Sequence, residues 1–374
     1  MLRLLHIADV HIGASMSSFG DAADARRGAL FDAFRALPAI ARRHEVHAVL
    51  IAGDLFDGPR PDAESRAAVA ETFARLVEEG CPVFVVPGNH DSATLHHHPY
   101  SEPLGGARVF LGAAFERHEV QTSGGALHVY GLAYDLGRED APLGTFARAG
   151  LPGAHVVLLH GSAEFSPHWR IGRNALRLPL DDLAGLDCDY VALGDYHGFR
   201  SPDRFRAGAS SRACYPGSFG AVDATETGPR GYVVVELESG RPPQVTHHPS
   251  AVPHLQDLGD VDVGGATDHD EVMRRIADRV EPGALPIARL VGVPDFAPDT
   301  ELLTRRLQER FGFARLVDAS TYYASGRLDR VADDDTVAGH VVRLGRQRVA
   351  AAKADEQAVA ERALRIALRA LEVS

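Results

Sequence analysis

The chain has 374 residues, 45% of them hydrophobic and 24% charged, and carries a net charge of −12. That length allows one large domain with an appendage, or two to three domains, and the composition is that of an ordinary soluble globular protein. No apolar run reaches the roughly 20 residues of a membrane span, and the acidic balance would repel nucleic acid overall, so any nucleic-acid site is expected to be a local basic patch with metals.

The first strand-like run, Leu2 to Ile7, begins so early that no secretory signal peptide is expected. Three cysteines, Cys81, Cys188 and Cys214, lack CxxC spacing and predict reduced, mostly buried thiols in a cytoplasmic protein. Arg26 to Arg43 places Leu30, Phe31, Phe34, Leu37, Ile40 and Ala41 on one helical face, and a second apolar run follows at Ala48 to Ile51. Ser65 to Glu79 repeats the helical pattern, with Gly80 as its C-terminal stop, before the run Val83 to Val86. Strand, helix and strand in that order predict a largely parallel sheet. From Val109 the segments shorten. Ala126–Leu132 and Gly231–Leu237, between glycine-rich turns, predict sheet with antiparallel members.

A break is expected at Gly240-Arg241-Pro242-Pro243. Beyond it, about 255–320 reads strand, helix, strand, helix, strand, a small α+β unit of the split βαβ sort. From about Thr336 the chain reads as helix, with Val337, Val341, Leu344, Val359, Ala363, Ile366, Leu368 and Leu371 in apolar stripes. Arg343, Arg346, Arg362, Arg365 and Arg369 run beside them.

Five apolar runs end in polar clusters: Asp9-Val10-His11, Gly53-Asp54, Gly88-Asn89-His90-Asp91, His160-Gly161 and Gly194-Asp195-Tyr196-His197. Strands buried on both faces read as such runs, and ligands of α/β sheets sit beyond the carboxyl edge. On extended chain, positions i and i+2 point one way, so Asp9 with His11 and Asp195 with His197 can reach common atoms. A DxH triplet alone reads equally well as a polar loop, and a lone His160 as a satisfied core histidine. Adjacent polar side chains at Gly88–Asp91 are costly at a buried strand end unless paired or metal-bound. Asn89 can ligate through its carbonyl, while His90 is placed to donate a proton. Asp, His and Asn without cysteine make a site suited to Mn²⁺, Fe²⁺ or Zn²⁺. Two such ions would hold a hydroxide and clamp a phosphate, so phosphate ester hydrolysis is the expected reaction.

The order and spacing of these clusters resemble the calcineurin-like metallophosphoesterase superfamily. The fuller strings His6-Ile7-Ala8-Asp9-Val10-His11-Ile12-Gly13, Ile51-Ala52-Gly53-Asp54-Leu55-Phe56-Asp57 and Pro87-Gly88-Asn89-His90-Asp91-Ser92 resemble the SbcD-type DNA repair exonucleases, as does Tyr215-Pro216-Gly217-Ser218. The resemblance implies a four-layer α/β/β/α nuclease domain over 1–250, a small α+β capping domain over 251–325 and a C-terminal helical segment over 326–374. It implies a first metal on Asp9, His11, Asp54 and His197, and a second on Asp54, Asn89, His160 and the residue at 195. His90 would orient the scissile phosphate or protonate the leaving oxygen, with Asp91 fixing its tautomer. The implied metal is Mn²⁺, with Fe, Mg or Zn also compatible. The implied partners are DNA, an SMC-like (SbcC-like) ATPase that docks the tail, and a second copy in a homodimer. Where the family carries Gly-His-x-His, this chain has Gly194-Asp195-Tyr196-His197. Direct ligation by Asp195 is expected, with contact through a water as the alternative. A phosphatase for small molecules or phosphoproteins, and a non-catalytic protein that holds DNA, are the other readings.

Overall fold

The computed structural model describes residues 1–163, 175–205, 212–294, 296–320, 325–353 and 356–372. It divides into two compact units, Met1–His254 and Leu255–Ser374.

The first unit is built on two sheets. Six strands form one, in the order Gln244–Pro249, Gly231–Leu237, Leu2–Ile7, Ala48–Ala52, Val83–Val86 and Arg108–Val109. Five form the other: Ala213–Cys214, Tyr190–Gly194, Ala154–His160, Gly125–Leu132 and Glu116–Thr122. The central strands pair in parallel, and Gly231–Leu237 and Glu116–Thr122 pair antiparallel with their neighbours. The five strands that carry the polar clusters are therefore shared between two sheets, three on one and two on the other.

Period-2 alternation decides what each face buries. Leu4, Leu50, Phe84 and Val86 join Val129, Leu158, Tyr190 and Ala192 in one apolar core between the sheets. Residues of opposite parity on the first sheet, such as Leu5, Ile7, Val49, Ile51 and Val85, are also fully buried. The helices Ala23–Arg35 and Ala63–Glu78 accompany that sheet and meet through Phe34 and Phe73, whose rings lie 5.9 Å apart. Tyr130, Leu132, Val157, Leu159, Val191 and Leu193 face the other way and pack with Leu183 of the helix Leu180–Ala184. The result is a mixed α/β sandwich.

Asp62 caps the helix Ala63–Glu78 by accepting from Ser65 N at 2.7 Å, and Gly80 just past its end has φ 80°. The helix expected over Arg26–Arg43 is instead two, Ala23–Arg35 and Leu37–Arg43. Pro38 lacks the N–H that a continuous helix needs, so the chain restarts at Ala36. The three cysteines are buried and free.

The second unit holds the strands Leu255–Asp262, Leu285–Val291 and Arg315–Asp318, parallel and in sequence order. No strand is inserted between neighbours, so the unit is a plain βαβαβ run rather than the split form expected. The helices His269–Ala277 and Thr300–Phe311 bury Val272, Ile276, Leu303 and Leu307 against this sheet. Helices Ser325–Asp333, Val337–Ala351 and Gln357–Glu372 follow, with Val342 and Leu368 at the centre of a small core of their own. The side chains of Arg362, Arg365 and Arg369 lie outside the described residues. No helix among the described residues is long and apolar enough to cross a membrane.

Candidate metal centre

The strands Leu2–Ile7, Ala48–Ala52, Val83–Val86, Ala154–His160 and Tyr190–Gly194 end in the residues that converge here. Left-handed backbone makes the convergence possible. Asp9, His11 and Asp54 have φ of 50°, 52° and 48°, and Asp195 has 106°. Four of the six described non-glycine residues with positive φ thus belong to this one site, where strain of this kind concentrates. Asp9 and His11 do meet, but through these kinks rather than on the extended chain that the i, i+2 spacing suggested.

The loops are clasped to one another. Asp9 N donates to Gly53 O at 3.1 Å, His11 N to Asp54 O at 2.9 Å, and Asp195 N to Asp9 Oδ1 at 3.0 Å. Two glycines are required by space. A Cβ on Gly53 would fall 2.2 Å from His160 Nδ1, and one on Gly88 would fall 2.1 Å from Asp54 Oδ1.

Three sets of donor atoms lie mutually within 4.8 Å: Asp9, His11 and His197; Asp9, Asp54 and His160; and His11, Asp57 and His90. His160 donates from Nδ1 to Ala52 O at 2.9 Å, which leaves Nε2 turned inward, 2.9 Å from Asn89 Oδ1 and 3.6 Å from Asp54 Oδ2. His11 Nδ1 is held by Asp57 Oδ1 at 3.0 Å, and His197 Nδ1 by Glu226. Both Nε2 atoms then point inward and face each other at 3.3 Å. With each Nδ1 at a carboxylate, the two Nε2 atoms are left facing one another, an arrangement that a cation between them suits. The donor set therefore fits divalent metal, and neutral imidazoles oriented by carboxylates are the usual form of histidine ligands.

Electrostatics agree with that fit. Burial opposes charging of His160, but Asp54, Asp9 and Asp195 raise its pKa to about 9. Burial raises the pKa of Asp9 despite the neighbouring imidazoles, while His160, His11 and His90 hold Asp54 below its ordinary value against its own burial. Such a concentration of buried carboxylates and imidazoles is what a metal ion neutralises.

His90 stands apart from the buried donors, with an exposed ring whose Nδ1 donates to Asp57 O at 3.2 Å. Asp57, through its side chain and carbonyl, raises its pKa from the ordinary histidine value to about 9. Asp91 does not orient it, contrary to expectation. The Asp91 carboxylate accepts from Gly88 N at 2.7 Å, Phe56 N at 3.1 Å and Tyr100 Oη at 2.5 Å, and so braces the turn that carries Asn89 and His90. The contact with His90 falls to Asp57. Asp195 is bonded by the Ser162 hydroxyl, its Oδ1 lies 3.8 Å from His160 Nε2, and it joins none of the three donor sets.

Against known protein families, residues 2–199 match the model of the calcineurin-like phosphoesterases. The chain belongs to that family. Among curated relatives of this phosphoesterase, the uncharacterized metallophosphoesterase YhaO of Bacillus subtilis is 27% identical over 246 residues, covering 64% of this chain and 58% of the relative. The DNA double-strand break repair protein Mre11 of Methanosarcina mazei is 27% identical over 246 residues, covering 63% and 36%. The SbcD component of the Escherichia coli nuclease SbcCD is 34% identical over 96 residues, covering 25% and 23%. The chain thus spans less than two thirds of the length of these relatives.

Sequence reasoning missed Asp57 and Glu226. Asp57 lies three residues past Asp54, in the same run that follows the second strand, and its position there is a usable signal. Glu226 has no local signal, because it reaches His197 from a loop 29 residues further along.

Proposed function

We propose that this phosphoesterase is a metal-dependent DNA nuclease, cutting phosphodiester bonds as an exonuclease or endonuclease in DNA repair. The observation that carries the reading is the opposed pair of inward-facing imidazoles, His11 and His197, beside the Asp9, Asp54 and His160 set. In this reading Asp9, His11, Asp54 and His197 hold one metal, and Asp54, Asn89, His160 and Asp195 hold the other. The ion we assign is Mn²⁺, the one the family likeness implies, and the thiolate-free set of oxygen and imidazole donors accommodates it along with Fe²⁺ and Zn²⁺. When bound, the two ions would supply a nucleophilic hydroxide at neutral pH and charge to meet that developing on the phosphate. His90, exposed at the mouth, would contact the scissile phosphate and, in its protonated form, give a proton to the leaving oxygen. Asp57 would hold His90 and His11 in one orientation, and Asp91 would keep the Asn89–His90 turn in place.

DNA as the substrate is supported by the names of the Mre11 and SbcCD relatives and by the strings around Asp9, Asp54 and Asn89. By the same likeness we assign 1–250 as nuclease domain, 251–325 as cap and 326–374 as the docking segment for an SMC-like ATPase in the cytoplasm. The test is cleavage of single- and double-stranded DNA across a metal series, with bis-p-nitrophenyl phosphate as a generic diester. Metal-dependent cleavage of DNA, strongest with Mn²⁺, is the expected result. Hydrolysis of the generic diester with every DNA substrate left intact would favour a small-molecule phosphodiesterase. Undiminished activity in excess chelator would overturn the metal mechanism altogether.

A further inference from the structure

Phe199 is the one aromatic ring among the exposed large hydrophobic side chains of the described residues, with 41% of its surface in water. It lies two residues past His197, at the rim of the metal centre. Its ring packs at a tilt on His247, with centroids 4.6 Å apart and planes at 32°. His247 belongs to the edge strand Gln244–Pro249 and sits in register with Val233, which is in turn in register with His6. Asp9 emerges three residues after His6, so the aromatic pair and the metal donors share one end of the sheet. Two guanidinium groups lie nearby: Arg230 donates to the carbonyl of His197, with Glu226 beside it, and Arg200, next in the chain, lies 5.8 Å from the Tyr196 ring.

A singly exposed apolar side chain needs no explanation. Phe199 differs from the other exposed apolar side chains in three respects. It is aromatic, it is backed by a second ring, and it lies two residues past His197, whose carbonyl accepts from the Arg230 guanidinium. A flat apolar face next to cations matches a nucleotide, whose base stacks while its phosphates meet the positive charge.

We propose that Phe199 is a base-stacking platform, on which a nucleobase next to the scissile phosphate lies while His247 supports the ring from behind. The identity of the ligand rests on the nuclease reading above. Stacking tolerates all four bases, since each has a π-face, so Phe199 would select for nucleotides as a class and not for a sequence.

Short single-stranded oligonucleotides with 2-aminopurine placed at each position in turn test this, using the full chain with Ca²⁺ to support binding without cleavage. One position should lose fluorescence on binding, as stacked 2-aminopurine does. Phe199→Ala should abolish that quenching and weaken binding about tenfold, within the range measured for lost base stacking. Phe199→Trp should restore both. An oligonucleotide quenched at no position, or bound equally well by Phe199→Ala, overturns the proposal. The nuclease reading fails separately: wild type that binds and quenches but cuts no DNA with any metal leaves the platform standing and removes the cleavage.

Discussion

One oxygen of Asp57 joins two imidazoles: Oδ1 lies 3.0 Å from His11 Nδ1 and 3.5 Å from His90 Nδ1. A buried donor and the exposed candidate acid are thus tied to a single carboxylate. Glu226 does the same for His197 alone. The two carboxylates fix which nitrogen of His11 and of His197 faces inward. Glu226→Gln should therefore weaken Mn²⁺ binding by about 10- to 100-fold, the usual cost of losing a carboxylate behind a histidine ligand. Calorimetric titration with Mn²⁺ reads this directly. Unchanged affinity would mean that the opposed imidazoles are held by something else.

Asp57→Asn is expected to act twice, on metal affinity through His11 and on turnover through His90. The separate effect of the acid appears in His90→Ala. That variant should keep its metal, because no atom of His90 is among the buried donors assigned as ligands, and should lose about 10²–10⁴ in turnover on a diester, as acid–base groups do. Metal analysis of the purified variant beside its steady-state rate checks the assignment. Loss of metal with the ring would make His90 a ligand.

His6 gives a pH dependence of stability. Its ring is fully buried, Nδ1 shares a 2.8 Å hydrogen bond with Tyr190 Oη, and burial lowers its pKa from 6.5 to about 3 in spite of the Leu193 carbonyl. The unfolded chain therefore takes up a proton below pH 6.5 that the folded chain refuses until pH falls to about 3. Stability is complete above the first value and declines as the pH drops beneath it. Between about pH 7 and pH 5 the loss should be about 2 kcal/mol from this group. His6→Gln removes the titration, so denaturant melts of the variant should show a flatter pH profile than wild type. Parallel profiles would assign the acid sensitivity to other groups.

Five strands and the residues at their ends were legible in the sequence because runs such as Val83–Val86 leave few alternatives once a turn-former follows. That placed Asp9, His11, Asp54, Asn89, His160 and His197 at strand ends, and the resemblance to the metallophosphoesterases grouped them in one site. The reason for the meeting of Asp9 and His11 was not legible. Left-handed φ at a non-glycine residue is imposed by the surrounding loops, and neither Asp nor His announces it. Asp91 misled for a related reason. Adjacency to His90 suggested a contact, but the tight turn sends the carboxylate back to Gly88 N and Tyr100 Oη. Glu226 and the division of the strands between two sheets are long-range facts, fixed by packing and invisible to local pattern.

The C-terminal helices bury only part of their apolar stripe. Leu328, Val331, Val341 and Leu364 pack around Val342 and Leu368, so that part is the helices' own core. Another part is not. Val337 and Leu344 are 69% and 49% exposed, and Val359 and Ile366 are 69% and 61% exposed. The members of each pair stand seven residues apart, on one face of their helix, the spacing of a coiled-coil seam. Removing 336–374 outright would strip the cover from Leu328 and Val331, so paired substitutions are the cleaner probe. Leu344→Asp with Ile366→Asp places charge on the exposed face only, where the effect on stability is usually within about 0.5 kcal/mol. The thermal midpoint and the metal-dependent diesterase activity should stay almost unchanged, while co-purification with the proposed SMC-like ATPase partner should be lost, since a helical groove accepts such a face through its apolar residues. If the double variant instead melts early, the exposed residues belong to the chain's own core. If it melts normally and still carries the ATPase, the docking surface lies elsewhere.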